Sequence, residues 1–167
     1  MLNNISMDSD FSFISSMTNG FNDLTKEEHL EIYKFTLLWS LFEARIMKEN
    51  ANARSIPQKI RNKRVSSNLW FEPHLRYFQN RYITSGTTNP KFQRLQLRPS
   101  DNEALIKDVL TGINQVVEDQ LITSLMIVYR YRNNLFHGPK WAYDIKDQLN
   151  NFKHANSLLK GALVELN

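Results

Sequence analysis

Arg132 and His137 stand with four residues between them in the run from Val128 to Pro139. The guanidinium is charged at every physiological pH, whereas an imidazole gains or loses its proton near neutrality. Phosphodiester chemistry needs that combination: a fixed cation for phosphate oxygens, and a group that takes or gives a proton. Gly138 and Pro139 follow at once, and together they end a helix.

On an unbroken α-helix, five residues turn through about 500°, which leaves Arg132 and His137 roughly 140° apart. Asn133 and His137, four apart, share a face. One chain therefore grips one phosphate poorly with this pair. Two routes bring the groups together, a distorted last turn, which Asn133-Asn134 would favour, and a two-fold dimer that contributes a second Arg132 and His137, and a combination of the two is expected.

The elements needed to present the motif are helical. Thr25-Lys26-Glu27-Glu28 has the form of a capping box, and the helix it opens is expected to reach about Asn50. Leu30, Tyr33, Leu37, Leu38, Leu41, Phe42, Arg45 and Ile46 recur at three- and four-residue intervals and mark its apolar face. Glu43 lies in the most apolar part. It either sits at the solvent edge beside Lys48 or Arg45, or points inward to orient Arg132 or His137. His29, in the first turn, is expected to be exposed.

A short helix is predicted between Leu69 and Tyr82, with Pro73 in its first turn. Ser85–Pro99 reads as a loop. Ser100-Asp101-Asn102-Glu103 reads as a second capping box, opening a helix through about Leu110. A long helix from Ile113 carries Val116, Val117, Leu121, Leu125, Val128 and Tyr129 towards Arg132. The last helix is expected from about Tyr143, with Asp144 at its start, to Leu166, burying Ile145, Leu149, Phe152, Ala155, Leu158, Leu159, Ala162 and Leu163. His74 and His154 read as boundary residues. The fold class is all-α: an antiparallel helical bundle of four to five helices with a basic loop or short-helix insert, spanning residues 25–167. Residues 1–24 read as mostly coil, either a flexible arm or a segment that docks through Phe11, Phe13 and Phe21.

Composition narrows the chemistry. The 167 residues contain no cysteine, so disulfides and thiolate catalysis are excluded. No signal peptide or membrane-spanning run is visible, and a cytoplasmic location is expected. Net charge is +4, with a sequence pI near 9.3. The asymmetry says more, because Arg54, Lys59, Arg61, Lys63 and Arg64 come with no acid among them. They form either a solvated basic loop or a surface for a phosphate backbone. Arg130 and Lys140 add cations beside the motif. Aromatic and basic residues interleave from Trp70 to Arg98, a mixture that either stacks unpaired bases or builds a small core with a cationic rim.

The string Arg132-Asn133-Asn134-Leu135-Phe136-His137-Gly138 resembles the signature of the HEPN superfamily: an arginine, a polar residue, three more residues, then histidine. The preceding apolar helix and following glycine are also similar, as is the all-α plan. The resemblance implies a homodimer whose facing motifs build a composite, metal-independent endoribonuclease site with no cofactor. Many members are toxins, with an antitoxin protein as partner, or act in defence against phage, and others belong to RNA-guided effectors. The alternative reading is a non-catalytic module that binds a nucleotide, RNA or a protein and dimerises. By this resemblance Arg132 and His137 are catalytic, Asn133 is the polar residue after the arginine, and Glu43 is an acidic helper by analogy. The chemistry is consistent with those residue types. A 2′-hydroxyl attacks its own phosphate, His137 moves a proton, and Arg132 binds the charge growing on the non-bridging oxygens.

Overall fold

Thr25 opens the first long helix as its spacing predicts. In the structure, a computed structural model describing residues 5–17, 20–48, 50–137 and 148–167, the Thr25 Oγ1 accepts from the Glu28 backbone N–H at 3.2 Å. The Glu28 carboxylate accepts from the Thr25 N–H at 2.9 Å. This helix, α2, spans Lys26–Arg45, shorter than expected because the backbone turns left-handed at Lys48 (φ 52°). Ahead of it, Ile5–Met17 forms a helix, α1, rather than coil. Phe11 lies against Phe21 and His29, with ring centroids 5.7 and 5.8 Å away, so His29 is half-buried rather than exposed.

The inward face of α2 differs from the one its leucines suggest. Phe35, Trp39, Phe42 and Ile46 are buried, whereas Leu30, Tyr33, Leu37 and Leu41 are exposed. Two apolar stripes compete on this helix, and the one with three large aromatic rings is taken inside because each ring removes the most area from water. That choice also buries Glu31. Its carboxylate accepts from Asn156 Nδ2 and Lys34 Nζ, both at 2.7 Å. Burial alone would raise its pKa, but those hydrogen bonds and the charges of Lys34 and Lys153 outweigh that and hold it below the ordinary 4.5.

The basic insert is a helix, α3 (Ser55–Lys63), with Ile56 and Ile60 buried. Helix α4 follows at Glu72–Tyr82, with proline in its first turn as expected. The predicted loop contains a two-stranded antiparallel hairpin, β1 (Ile83–Thr84) and β2 (Thr87–Thr88). Ser85 and Gly86 make its turn at φ 51° and 77°, the positive-φ pair that two-residue hairpins require. After a one-turn α5 (Pro90–Gln93), Pro99–Asp101 forms a 3₁₀ turn. The cap of α6 (Glu103–Leu110) is Asn102 rather than Ser100; Asp101 instead folds back on the Arg98 N–H at 2.7 Å. Gly112 turns at φ 80°, and α7 runs Val117–His137. It starts later than predicted, leaving Ile113 and Val116 exposed. Helix α8 spans Leu149–Glu165; the predicted start at Tyr143, with Asp144 and Ile145, lies outside the described residues.

All-α is thus the class, with eight α-helices among the described residues rather than four or five. Every residue from Leu121 to Val128 is buried, as for a helix surrounded by the fold. Helix α4 lies antiparallel to α8, with Trp70 against Gly161 and Tyr77 against Asn151. It runs in the same direction as α7, with Asn68 near Gln120 and Tyr82 against Tyr131. Among the described residues, no helix is long and apolar enough to cross a membrane.

The two faces of α2 separate in a stability experiment. Phe35→Ala is expected to cost about 3–5 kcal/mol, and Leu37→Ser within roughly 0.5 kcal/mol, both read by urea denaturation. Equal losses would overturn the assignment of the inward face. Because the folded carboxyl of Glu31 titrates below its unfolded value, its stabilisation is complete above pH 4.5 and is lost as pH falls through the folded value. Glu31→Gln should therefore flatten the fall in urea midpoint on the acid side of pH 4.5.

Candidate functional site

The motif occupies the last two turns of α7, and its non-chemical residues anchor it. Arg130 is buried at 3% exposure; its Nε donates to the Leu95 carbonyl at 3.1 Å and its Nη1 faces the Asp101 carboxylate at 3.7 Å. Burial lowers the Arg130 pKa, and the charge of Asp101 works against that. Asn134 Nδ2 donates to the same Leu95 carbonyl at 3.2 Å. On the neighbouring side, the Tyr131 and Tyr82 hydroxyls share a hydrogen bond of 2.5 Å. Burial pushes the Tyr82 phenol up to about 12 and that of Tyr131 well above its ordinary value, so both are neutral.

With Arg130, Tyr131 and Asn134 turned to the body, Arg132 emerges on another side of the helix. It is half-buried. Its Nη1 donates to Asn133 Oδ1 at 3.2 Å, and its guanidinium carbon lies 5.5 Å from the centroid of the exposed Phe136 ring. Asn133 is itself buried. The α-helix is continuous through His137. Positions 132 and 137 therefore stay about 140° apart around the axis, and the last turn up to His137 is not distorted. The His137 imidazole lies outside the described residues, as do Gly138, Pro139 and Lys140.

The remaining candidates are dispersed. Glu43 is half-buried, and none of the hydrogen bonds or ion pairs seen among the described residues involves it. Arg54, Arg61, Lys63 and Arg64 are exposed and Lys59 is half-buried. Arg61 pairs with Asp119 at 3.4 Å, which ties α3 to the first turn of α7. Thirteen residues of helix separate Asp119 from Arg132, about 20 Å at 1.5 Å per residue. The fold does not gather the basic helix and the motif into one pocket. Arg130 is not on a surface at all. Most of the interleaved aromatic rings are core: Phe71, Phe78, Tyr82 and Phe92 are buried, which removes them as a stacking platform for bases, whereas Trp70 and Tyr77 are half-buried.

Sequence reasoning overlooked the Arg130–Asp101–Leu95 anchor. Its signal is an arginine at the end of a largely apolar run, with a distant acid inside a stretch that reads as a capping box. No family model, curated protein or solved structure matches the chain.

Arg130→Ala would strand a buried carboxylate, and a loss of about 3–5 kcal/mol is expected, reduced when Asp101→Asn accompanies it. An arginine at the surface would leave the urea midpoint within roughly 0.5 kcal/mol of the parent.

Proposed function

We propose that the chain is a metal-independent endoribonuclease that acts as a homodimer with a composite site. The observation that carries this reading is the setting of Arg132. It is pre-oriented by Asn133 and Phe136 on a helix that runs to His137, the two residue types that phosphodiester chemistry uses in the order that resembles the HEPN signature. A held guanidinium loses little freedom on meeting a phosphate and stabilises the charge that builds on its oxygens. His137 takes the proton from the 2′-hydroxyl or gives one to the leaving 5′-oxygen. The products are a 2′,3′-cyclic phosphate and a free 5′-hydroxyl. Because about 140° separates the two positions on one straight helix, the arginine of one chain serves the histidine of the other. The exposed cations of α3, Arg54, Arg61, Lys63 and Arg64 with Lys59, contact the RNA backbone away from the cleavage point. Lys140, three residues after His137 in the sequence, adds a cation for RNA beside the motif. Glu43 is kept as a possible acidic helper. A toxin or phage-defence role, with an antitoxin protein as partner, is the biological setting this chemistry fits.

A second reading is favoured by the exposed stripe of Leu30, Tyr33, Leu37 and Leu41. In it, the protein is a non-catalytic nucleotide, RNA or protein-binding module that dimerises by a helix face.

His137→Ala and Arg132→Ala should each reduce RNA cleavage by about 10²–10⁴-fold in the presence of EDTA, with helical content unchanged. Products should end in cyclic phosphate, and 2′-deoxy substrates should survive. Cleavage undiminished in both variants, or none by the parent chain on single-stranded and structured RNA, sinks the enzyme reading and leaves the binding module.

A further inference from the structure

Two of the four histidines meet where α4 packs on α8, far along the sequence from the motif. His74 Nδ1 and His154 Nδ1 lie 3.0 Å apart, with the rings inclined at 76°. Tyr77 stacks on His154 at 3.9 Å and 6°, and its hydroxyl donates to Asn151 Oδ1 at 2.7 Å. The His154 ring is thus held in one plane by a neighbour that is itself anchored. Both histidines are half-buried, so each keeps part of its surface open to solvent.

We propose that His74 and His154 form a two-imidazole seat for a borderline divalent transition cation of the Cu²⁺ or Ni²⁺ type, joining α4 to α8. The donor type favours the ion. Metal–imidazole bonds of about 2.0–2.1 Å put two ligands about 2.9–3.0 Å apart at a right angle, and about 3.3–3.4 Å apart at a tetrahedral one. The 3.0 Å separation is that of a hydrogen-bonded pair and lets both nitrogens reach one ion with a small shift, and at imidazole donors the Irving–Williams order puts Cu²⁺ ahead of Ni²⁺ and Zn²⁺. Among the described residues, no three His, Asp or Glu side chains converge to hold a metal. The pair therefore supplies two positions and water the others. The Tyr77 stack and its hydrogen bond to Asn151 provide the outer shell that orients a ligating imidazole.

Ligating imidazoles must be neutral. Burial first, then the charges of His154 and Lys160, hold His74 at about 4, and burial lowers His154 as well. Without metal, one Nδ1 carries a hydrogen that it shares with the other. Binding moves that hydrogen to Nε2 of the same ring, exposes both Nδ1 lone pairs and releases no net proton at neutral pH. The Lys160 ammonium opposes the incoming cation.

The experiment titrates the full chain, free of any polyhistidine tag, with CuCl₂, NiCl₂ and ZnCl₂ by calorimetry and by the visible absorption of copper. One Cu²⁺ per chain is expected, bound more tightly than Zn²⁺. His74→Gln and His154→Gln should each weaken it by at least about tenfold, and Tyr77→Leu by about tenfold. Lys160→Met should tighten it, and His29→Gln should change nothing. Circular dichroism confirms that each variant folds; should a histidine variant unfold, the Tyr77 and Lys160 variants test the same site with both donors kept. Binding that survives both histidine changes, or that follows His29 or His137, overturns the proposal. So does a parent chain that takes up no Cu²⁺, which would leave the pair a hydrogen bond only.

Discussion

A buried guanidinium fixes the rotation of the central helix. Arg130 reaches the Leu95 carbonyl and Asp101, and Asn134, one turn on, reaches the same carbonyl. An α-helix packed on all sides by apolar residues, as α7 is from Leu121 to Val128, has weak preferences for its own rotation, because leucine and isoleucine make similar contacts at several angles. Directional polar bonds remove that freedom, since a buried donor left unpaired costs more than any apolar repacking recovers. Tyr131 adds the third restraint through Tyr82. Once these three side chains point inward, the direction of Arg132 follows from 100° per residue. The position of the candidate cation is thus set by residues that take no part in its chemistry.

The same restraints bear on how one chain could act. A helix held this firmly and continuous through His137 has no slack to swing position 137 towards position 132. The polar Asn133-Asn134 pair suggested a weak point, but both residues are committed: Asn133 accepts from Arg132, and Asn134 binds the 94–95 backbone. On the ribonuclease reading, the complementary group must come from outside the helix. That makes the composite dimer the economical arrangement and removes the distorted-turn route.

What the sequence disclosed depended on how many physical solutions each pattern had. The Thr25 cap and the proline at the start of α4 each have one local solution, and each is found. The inner face of α8 was legible because its apolar residues form a single stripe. Helix α2 carries two, and counting apolar residues grouped the buried Phe42 and Ile46 with the exposed Leu30, Tyr33, Leu37 and Leu41, whereas Phe35 and Trp39 complete the inward stripe. Charge was misread in the opposite way. Arg130 looked like a surface cation beside the motif, yet its partner Asp101 is 29 positions away in sequence, and no local pattern announces such a pair. The turn at Ser100 failed for a related reason: Asp101 was engaged elsewhere, so Asn102 became the cap.

The distribution of exposed features constrains any partner. The exposed apolar stripe lies on α2, the cations cluster on α3, and Arg132 lies about 20 Å along α7 from the Arg61–Asp119 bridge. A mononucleotide spans far less than that distance, so the α3 cations would add nothing to its binding at the motif. An extended polynucleotide reaches both, and each phosphate neutralised on α3 adds to affinity without adding base preference. If RNA is the substrate, the physical separation of grip from chemistry therefore predicts weak sequence selectivity from α3 and leaves any selectivity to the groups around Arg132.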